Sequence, residues 1–223
     1  MPRDVVDEVL VVNDGSTDET PREAAASGAT VLHHEKRMGI GIAIRTGFEY
    51  AIARNYDIVV VLAGNAKDNP ADIPRLCAPI VEDRAKFVQG SRYLEGTRYD
   101  PTLNTPLHRR VVTRIYPILV ALATFVRTGR LPRITEATSG FRAIHRDVLT
   151  DPRIDLRQDW LDGPLEYYLY IKIHMLGIAY AEVSTKKIYP AGAKYHEYTK
   201  VRPGRDWIPR LMPLIYLTLG IRR

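Results

Sequence analysis

Cysteine is almost absent from this 223-residue sequence: Cys77 stands alone, so no intrachain disulfide can form and packing must hold the fold. The six histidines are scattered without a matching cysteine set, which removes the usual pattern of a structural zinc site. No run reaches the ~18 uninterrupted apolar residues of a spanning helix. Met1-Pro2-Arg3-Asp4 leads into no signal-peptide stretch, so the expected location is cytoplasmic, with room for peripheral contact at a membrane's cytoplasmic face. RNA-binding signatures and separate Lys/Arg tracts are also missing, and nucleic acid is not an expected partner.

What is present is an ordinary globular composition, 45% apolar and 26% charged, long enough for one sizeable domain. The net charge of +6 and pI near 9.4 favour acidic partners such as nucleotide phosphates or anionic headgroups. The valine-rich run Val5–Val12 breaks at Asn13-Asp14-Gly15-Ser16 and predicts a buried parallel strand. Further strands are predicted at 29–32, 57–62, 86–90 and 178–188, with helices at 20–27, 73–83, 111–126 and 164–176. Ile44, Phe48, Ala51 and Ile52 recur at helical spacing behind Gly39 and Gly41. Alternating strands and helices predict an α/β fold with a Rossmann-like layered sheet. The expected organisation is one domain over 1–206, with a donor half at 1–92 and an acceptor half at 93–206. An apolar-basic helix over 207–223 would follow. Residues 92–106 are turn-rich and polar, as a site flap or a surface loop would be.

Four segments follow one another in a telling order. They are Val11-Val12-Asn13-Asp14-Gly15-Ser16-Thr17-Asp18, Arg37-Met38-Gly39-Ile40-Gly41-Ile42-Ala43-Ile44-Arg45-Thr46-Gly47, Asp68-Asn69-Pro70-Ala71-Asp72-Ile73-Pro74 and Thr138-Ser139-Gly140-Phe141-Arg142. Together they resemble the inverting glycosyltransferases of family 2, which have the GT-A fold and include polyprenyl-phosphate sugar synthases of the dolichyl-phosphate mannose synthase kind. The resemblance runs from about Val9 to Pro190. It implies a UDP- or GDP-sugar donor bound by Asp14, Gly15, Ser16, Gly39, Gly41, Arg45 and Asn65. Asp14 would meet a base imide or ribose hydroxyl at the strand edge where open α/β sheets bind ligands. The plainer reading is that Asn13-Asp14-Gly15 makes a turn and Ser16 or Thr17 caps the next helix. Gly39, Gly41 and Arg45 suit a diphosphate; alternatively the glycines only permit close packing. Ser139, Gly140, Phe141 and Arg142 resemble the loop lining donor sugar and acceptor, with Arg142 supporting it from beneath.

Two departures stand out. The strand and Pro-x-x-Asn-Glu loop that open the family pattern have no counterpart ahead of Val5. The metal-binding Asp-x-Asp aligns with Ala63-Gly64-Asn65, so both acids are replaced. Mg²⁺ or Mn²⁺ would then be held weakly, by Asn65 and Asp68, or not at all, with Lys67 and Arg45 neutralising the leaving diphosphate. Lys67 and Asp68 can also be read as solvated loop charges.

Transfer to a hydroxyl needs a general base, whereas a polyprenyl phosphate is already anionic. Glu166 is the leading base and Asp162 the second, by the family's acid ahead of that helix; both also suit a helix N-terminus as plain charges. The helix over 111–126 and the tail over 207–223 carry apolar faces with arginine flanks, suited to an anionic membrane surface or to packing on the domain. The expected activity is inverting transfer to a lipid phosphate. Transfer to a glycan hydroxyl and an inactive nucleotide-sugar-binding module are the alternatives. A nucleotidyltransferase lacks its glycine-rich basic loop here.

Overall fold

The computed structural model describes residues 5–94, 107–186 and 207–222, with backbone alone at 107–110. Strand β1 (Leu10–Asp14) leads through helix α1 (Thr20–Ala26) to β2 (Thr30–His34), which lies parallel to it, Leu10 opposite Thr30 and Asp14 opposite His34. Asp18, rather than Ser16 or Thr17, accepts the Thr20 N–H that opens α1, at 3.1 Å. Helix α2 (Ile40–Ala53) then crosses to β3 (Ile58–Val61), a 3₁₀ turn (Pro70–Asp72), α3 (Ile73–Val81) and β4 (Phe87–Ser91). The second half supplies α4 (Leu107–Thr128), β5 (Arg142–His145), the short α5 (Arg146–Leu149), a 3₁₀ turn (Asp159–Leu161), α6 (Leu165–Leu176), β6 (Tyr180–Ser184) and α7 (Ile208–Leu219).

Among the described residues the strands form two sheets, a β1–β2 pair and a four-stranded sheet of order β3-β5-β4-β6. The fold is α/β, as expected, but β5 is an addition to the sequence reading. Arg-Ala-Ile-His is short and polar at both ends, so it gives no strand periodicity, yet it runs antiparallel between β3 and β4. Arg142 is therefore the first residue of an interior strand as well as the end of a motif. The expected acceptor half thus supplies two of the four strands, β5 between the donor half's β3 and β4 and β6 at the edge. The β1–β2 pair is joined to the larger sheet by α2, which packs against both β1 and β3. Glu8 fastens this junction by accepting from the hydroxyls of Thr30, Tyr50 and Tyr56.

The strand period of two divides the larger sheet into two faces. Ile58, Val60, Val88, Ala143 and Val183 pack with Ile73, Leu76 and Ile80 of α3. Val59, Val61, Phe87, Ile144 and Tyr180 pack into the larger core with α6, Tyr116 and Val120 of α4, and Leu217 of α7. α7 is thus seated on the core by one side. On the larger-core face, Arg142, Gln89 and Glu182 stand opposite one another across β5, β4 and β6. A row of polar side chains in place of apolar ones is the feature that shapes the site.

His174 lies between the Tyr170 and Tyr180 rings, with centroids at 4.9 and 4.5 Å, and its Nε2 has no hydrogen-bond partner among the described residues. Burial pushes its pKa down to about 4, so the folded protein holds it neutral. The unfolded chain protonates it near the ordinary value of ~6.5. Stability is therefore complete above ~6.5 and declines as pH falls from there towards 4. In urea melts the wild type should lose stability between pH 7 and 5, and His174→Phe should lose clearly less. Equal losses in the two proteins would show that His174 carries none of the pH dependence.

Candidate functional site

Asp14 ends β1 with both carboxylate oxygens engaged. Oδ1 accepts from Met38 N at 2.8 Å and meets His34 Nδ1 at 2.9 Å; Oδ2 accepts from Gly39 N at 2.9 Å. Burial raises its pKa, but the bonds from His34, Met38 and Gly39 outweigh that and hold it below the usual aspartate range. Gly39 has φ +106°, open in practice to glycine alone, which turns its N–H inward. Gly15 allows the turn after Asp14 to press on the same loop, since a Cβ there would lie 2.6 Å from Arg37 N. The side chain of Asn13 accepts Ser16 N at 3.1 Å and leaves Ser16 exposed at the rim. Asp14 thus fastens two loops together and keeps part of its surface open.

Gly41 has a packing reason. A Cβ there would lie 2.3 Å from the Leu161 carbonyl oxygen and 2.4 Å from that of Asp162, which accepts Gly41 N at 2.9 Å. Arg45 also turns this way, 3.5 Å from the Leu156 oxygen and from Asp162 Oδ1. These residues seat α2 against 156–162, and Arg45 reaches towards that segment.

Residues 63–68 follow β3, whose Val61 stands opposite Arg142. Asn65 is exposed and its Oδ1 accepts Lys67 N at 3.2 Å, while Ala66 takes a left-handed φ of +55°. Lys67 and Asp68 are buried, 5% and 4% exposed, and both have interaction partners. They are not solvated loop charges. The described residues hold no group of three His, Cys, Asp or Glu able to grip a metal. Asp68 and Asn65 alone make a poor donor set for Mg²⁺ or Mn²⁺, whose protein ligands are usually carboxylates.

Ser139, Phe141 and Arg142 are buried, at 1%, 0% and 3% exposure, so Thr138, Gly140 and Glu166 form the accessible surface of the motif. Arg142 does support the loop from beneath: it donates to the Ser139 oxygen at 2.6 Å and the Glu166 oxygen at 3.2 Å. Glu166 Oε1 lies 3.6 Å from Arg142 and faces Gly140. Asp162 is more exposed and sits on the Arg45 side. Four residues absent from the sequence reading complete the arrangement: Gln89, Arg92, Glu136 and Glu182. Gln89 donates to the Ser139 oxygen at 2.8 Å, and Arg92 pairs with Glu136 at 2.7 Å in full burial. A polar residue at an inward strand position, as in Phe-Val-Gln and Tyr-Ala-Glu, is the signal that marks Gln89 and Glu182.

The model of glycosyl transferase family 2 matches residues 4–151. The chain belongs to glycosyltransferase family 2. Among similar proteins, an undecaprenyl-phosphate mannosyltransferase of Micrococcus luteus is 32% identical over 158 residues, 66% of this chain and 59% of that one. A UDP-N-acetylglucosamine–dolichyl-phosphate N-acetylglucosaminyltransferase of Methanococcus voltae is 26% identical over 200 residues, 82% and 75% of the two chains. A crystal structure of glucosyl-3-phosphoglycerate synthase from Mycobacterium tuberculosis with UDP superposes with TM-score 0.60 at 20% identity, over 98% of this chain and 71% of that one. The enzyme therefore has the GT-A fold. Another structure of that synthase holds Mn²⁺ and UDP-glucose. Glu166 and Glu182 lie beyond the matched stretch of this family 2 glycosyltransferase.

Because Asp14 is held ionised, its contribution is present at neutral pH and is lost as pH falls through its depressed pKa. Asp14→Asn should cost about 1–3 kcal/mol of stability at pH 7, and the gap should close below pH ~4. Acid titrations of both proteins followed by circular dichroism check this; a gap that persists at pH 2 would remove the carboxylate from the account.

Proposed function

We propose that this family 2 glycosyltransferase moves a sugar from a UDP- or GDP-sugar to a polyprenyl phosphate at a membrane surface, inverting the anomeric centre. The observation that carries the acceptor is the outer face of α4. Ile115, Ile118, Leu119, Leu122, Phe125 and Val126 are all exposed there, between Arg114 and Arg127. The opposite face of the helix, with Tyr116, Val120, Ala123 and Thr124, is buried. α7 packs beside α4 and leaves Ile208, Ile215 and Leu219 exposed. Burying such a side chain is worth about 1.5–3 kcal/mol, so an apolar stripe bounded by arginines suits the headgroup boundary of an anionic bilayer. Tyr93 links this helix to the site: its hydroxyl meets Thr113 at 2.9 Å, and the Arg92 and Arg114 guanidiniums lie over its ring. Two of the similar proteins carry names with a polyprenyl or dolichyl phosphate acceptor, which supports the same reading.

In the reaction a phosphate oxygen of the acceptor attacks the anomeric carbon from the face opposite the nucleoside diphosphate. The carbon–oxygen bond to the diphosphate breaks and the leaving group keeps the electron pair. The acceptor is already an anion, so no base is required; Asp14, Gly15, Ser16 and Gly39 line the donor side and Gly140 the acceptor side. For a glycan hydroxyl acceptor Glu166 is the base, since it faces Gly140, with Asp162 at the Arg45 side. Purified enzyme should transfer label from one nucleotide sugar to polyprenyl phosphate in anionic vesicles. It should also sediment with those vesicles and be released by salt, and Leu122→Glu with Phe125→Glu should abolish sedimentation. Transfer to soluble glycans alone, or no binding to vesicles, would overturn the lipid acceptor. Nucleotide-sugar binding without any turnover would mark an inactive binding module.

The charge of Lys67 at the end of β3 is the group that offsets the leaving diphosphate, in place of a metal held by two acids. Turnover should therefore survive EDTA, whereas Lys67→Ala should lower kcat by about 10²-fold or more. Melting temperatures measured alongside separate this from unfolding. Loss of activity in EDTA, restored by Mn²⁺, together with an active Lys67→Ala enzyme would assign Asn65 and Asp68 to a cation instead.

A further inference from the structure

The loop 135–141 carries Gly140 into the site, yet the backbone ladder reaches it at the Phe141 carbonyl, which accepts Gly90 N at 2.9 Å. Side chains hold the rest. The Glu182 carboxylate on β6 accepts Thr135 N at 2.9 and 3.2 Å, Glu136 N at 3.0 Å, Thr135 Oγ1 at 2.6 Å and the Tyr180 hydroxyl at 2.7 Å. Glu136 then turns its own carboxylate to Arg92, and to Thr138 N and Oγ1 at 2.8 and 2.7 Å. The next residue, Ser139, presents its carbonyl to Gln89 and Arg142, the neighbours of Glu182 across the sheet. The order of contacts runs from Glu182 through 135 and 136 to Thr138, Ser139 and Gly140.

We infer that Glu182 is a positioning residue for transfer: it fixes the backbone at 135–136 so that Thr138 and Gly140 are held at the acceptor side opposite Glu166. This rests on the reading of that surface as the place where acceptor and donor sugar meet. Glu182 itself touches no substrate. An ionised carboxylate offers lone pairs to every donor that surrounds it, whereas an amide would aim N–H groups at N–H groups. Small displacements of reacting partners are costly in rate, and a shift of about 1 Å can cost ~10²-fold. A role confined to folding would instead weaken nucleotide binding, stability and turnover together.

The test compares wild type, Glu182→Gln, Glu182→Asp and Tyr180→Phe in the full chain. It uses the nucleotide sugar and acceptor that the wild type turns over, with UDP and GDP as binding probes. Glu182→Gln should lower kcat, or raise the acceptor KM, at least tenfold, with nucleotide affinity held within about twofold. Amide exchange at 135, 136 and 138 should accelerate. Glu182→Asp should recover part of the rate, and Tyr180→Phe, which removes one donor and keeps the charge, should shift both readouts the same way by less. Unchanged exchange across 135–141, or nucleotide affinity falling in step with turnover, would overturn the inference. Should Glu182→Gln fail to fold, Tyr180→Phe decides by the same two readouts. A wild type that turns over no acceptor overturns the transfer reading alone, and amide exchange then decides the tie by itself.

Discussion

The arrangement depends on one constraint: a row of polar side chains, Arg142, Gln89 and Glu182, set across three adjacent strands on the face that meets the larger core. Arg142 and Gln89 are buried there, and a buried polar group without a partner costs about 1–3 kcal/mol. α6 offers this row only its first turn, where the Glu166 carbonyl accepts from Arg142 at 3.2 Å, because most of its buried side chains are apolar. The remaining partners come mainly from the backbone of 135–141, which has few bonds of its own to neighbouring strands. Sheet and loop therefore need each other: the row requires acceptors and donors, and the loop supplies them only in one conformation. Substituting the row by apolar residues would pack well enough but would leave the loop's own amides and carbonyls bare. That mutual dependence explains why Ser139 and Phe141 point inward while the backbone at Gly140 faces out.

The C-terminal end of β1 is built on the same principle, with a single carboxylate in place of a row. At β1 a single carboxylate, Asp14, satisfies two backbone amides that would otherwise lie unpaired beside the N-terminus of α2. The negative charge sits where the helix favours it, and the glycine geometry at 39 brings the amide within reach. Gly41 and Arg45 then seat α2 on 156–162, so β1 and the segment ahead of α6 share one helix as their common wall. The loop after β3 differs, because its charge is a buried lysine beside a buried aspartate. Two opposite charges on neighbouring residues leave little net attraction for a cation.

Much of this layout is written locally in the sequence. The valine strands, the glycine entrance to α2 and the apolar period of α4 are visible because each follows from neighbours within a few residues. Asp14 and Gly140 were legible as motif members, and Glu166 as the acid opening α6. What was not legible depends on partners far away in the chain. Glu182 meets Glu136 across 46 residues and Arg92 meets Glu136 across 44, and no local period encodes either. β5 was hidden for the same reason: it is held by pairing with β3 and β4, more than fifty residues earlier in the chain. Arg45 has distant partners of the same kind, Asp162 and the Leu156 carbonyl, each 3.5 Å away and more than a hundred residues on in the chain.

α4 carries two demands on one helix, and its sequence resolves them by period. Thr113, Tyr116, Val120, Ala123 and Thr124 follow one face into the domain, where Tyr116 donates to the Arg210 carbonyl of α7 at 3.0 Å. Ile115, Ile118, Leu119, Leu122, Phe125 and Val126 follow the other, with charge confined to the ends at Arg114 and Arg127. A helix that crossed a bilayer would have to expose its threonine and tyrosine face to lipid, stranding hydroxyls that now have partners. Lying along the surface leaves every one of those bonds intact and buries only what is already exposed. On the proposed attachment the arginines would stay at headgroup level, where each adds about 1 kcal/mol to the attraction for anionic lipid. Because Tyr93 joins α4 to Arg92, the helix with the exposed apolar face and the loop at Glu136 belong to one connected set of contacts.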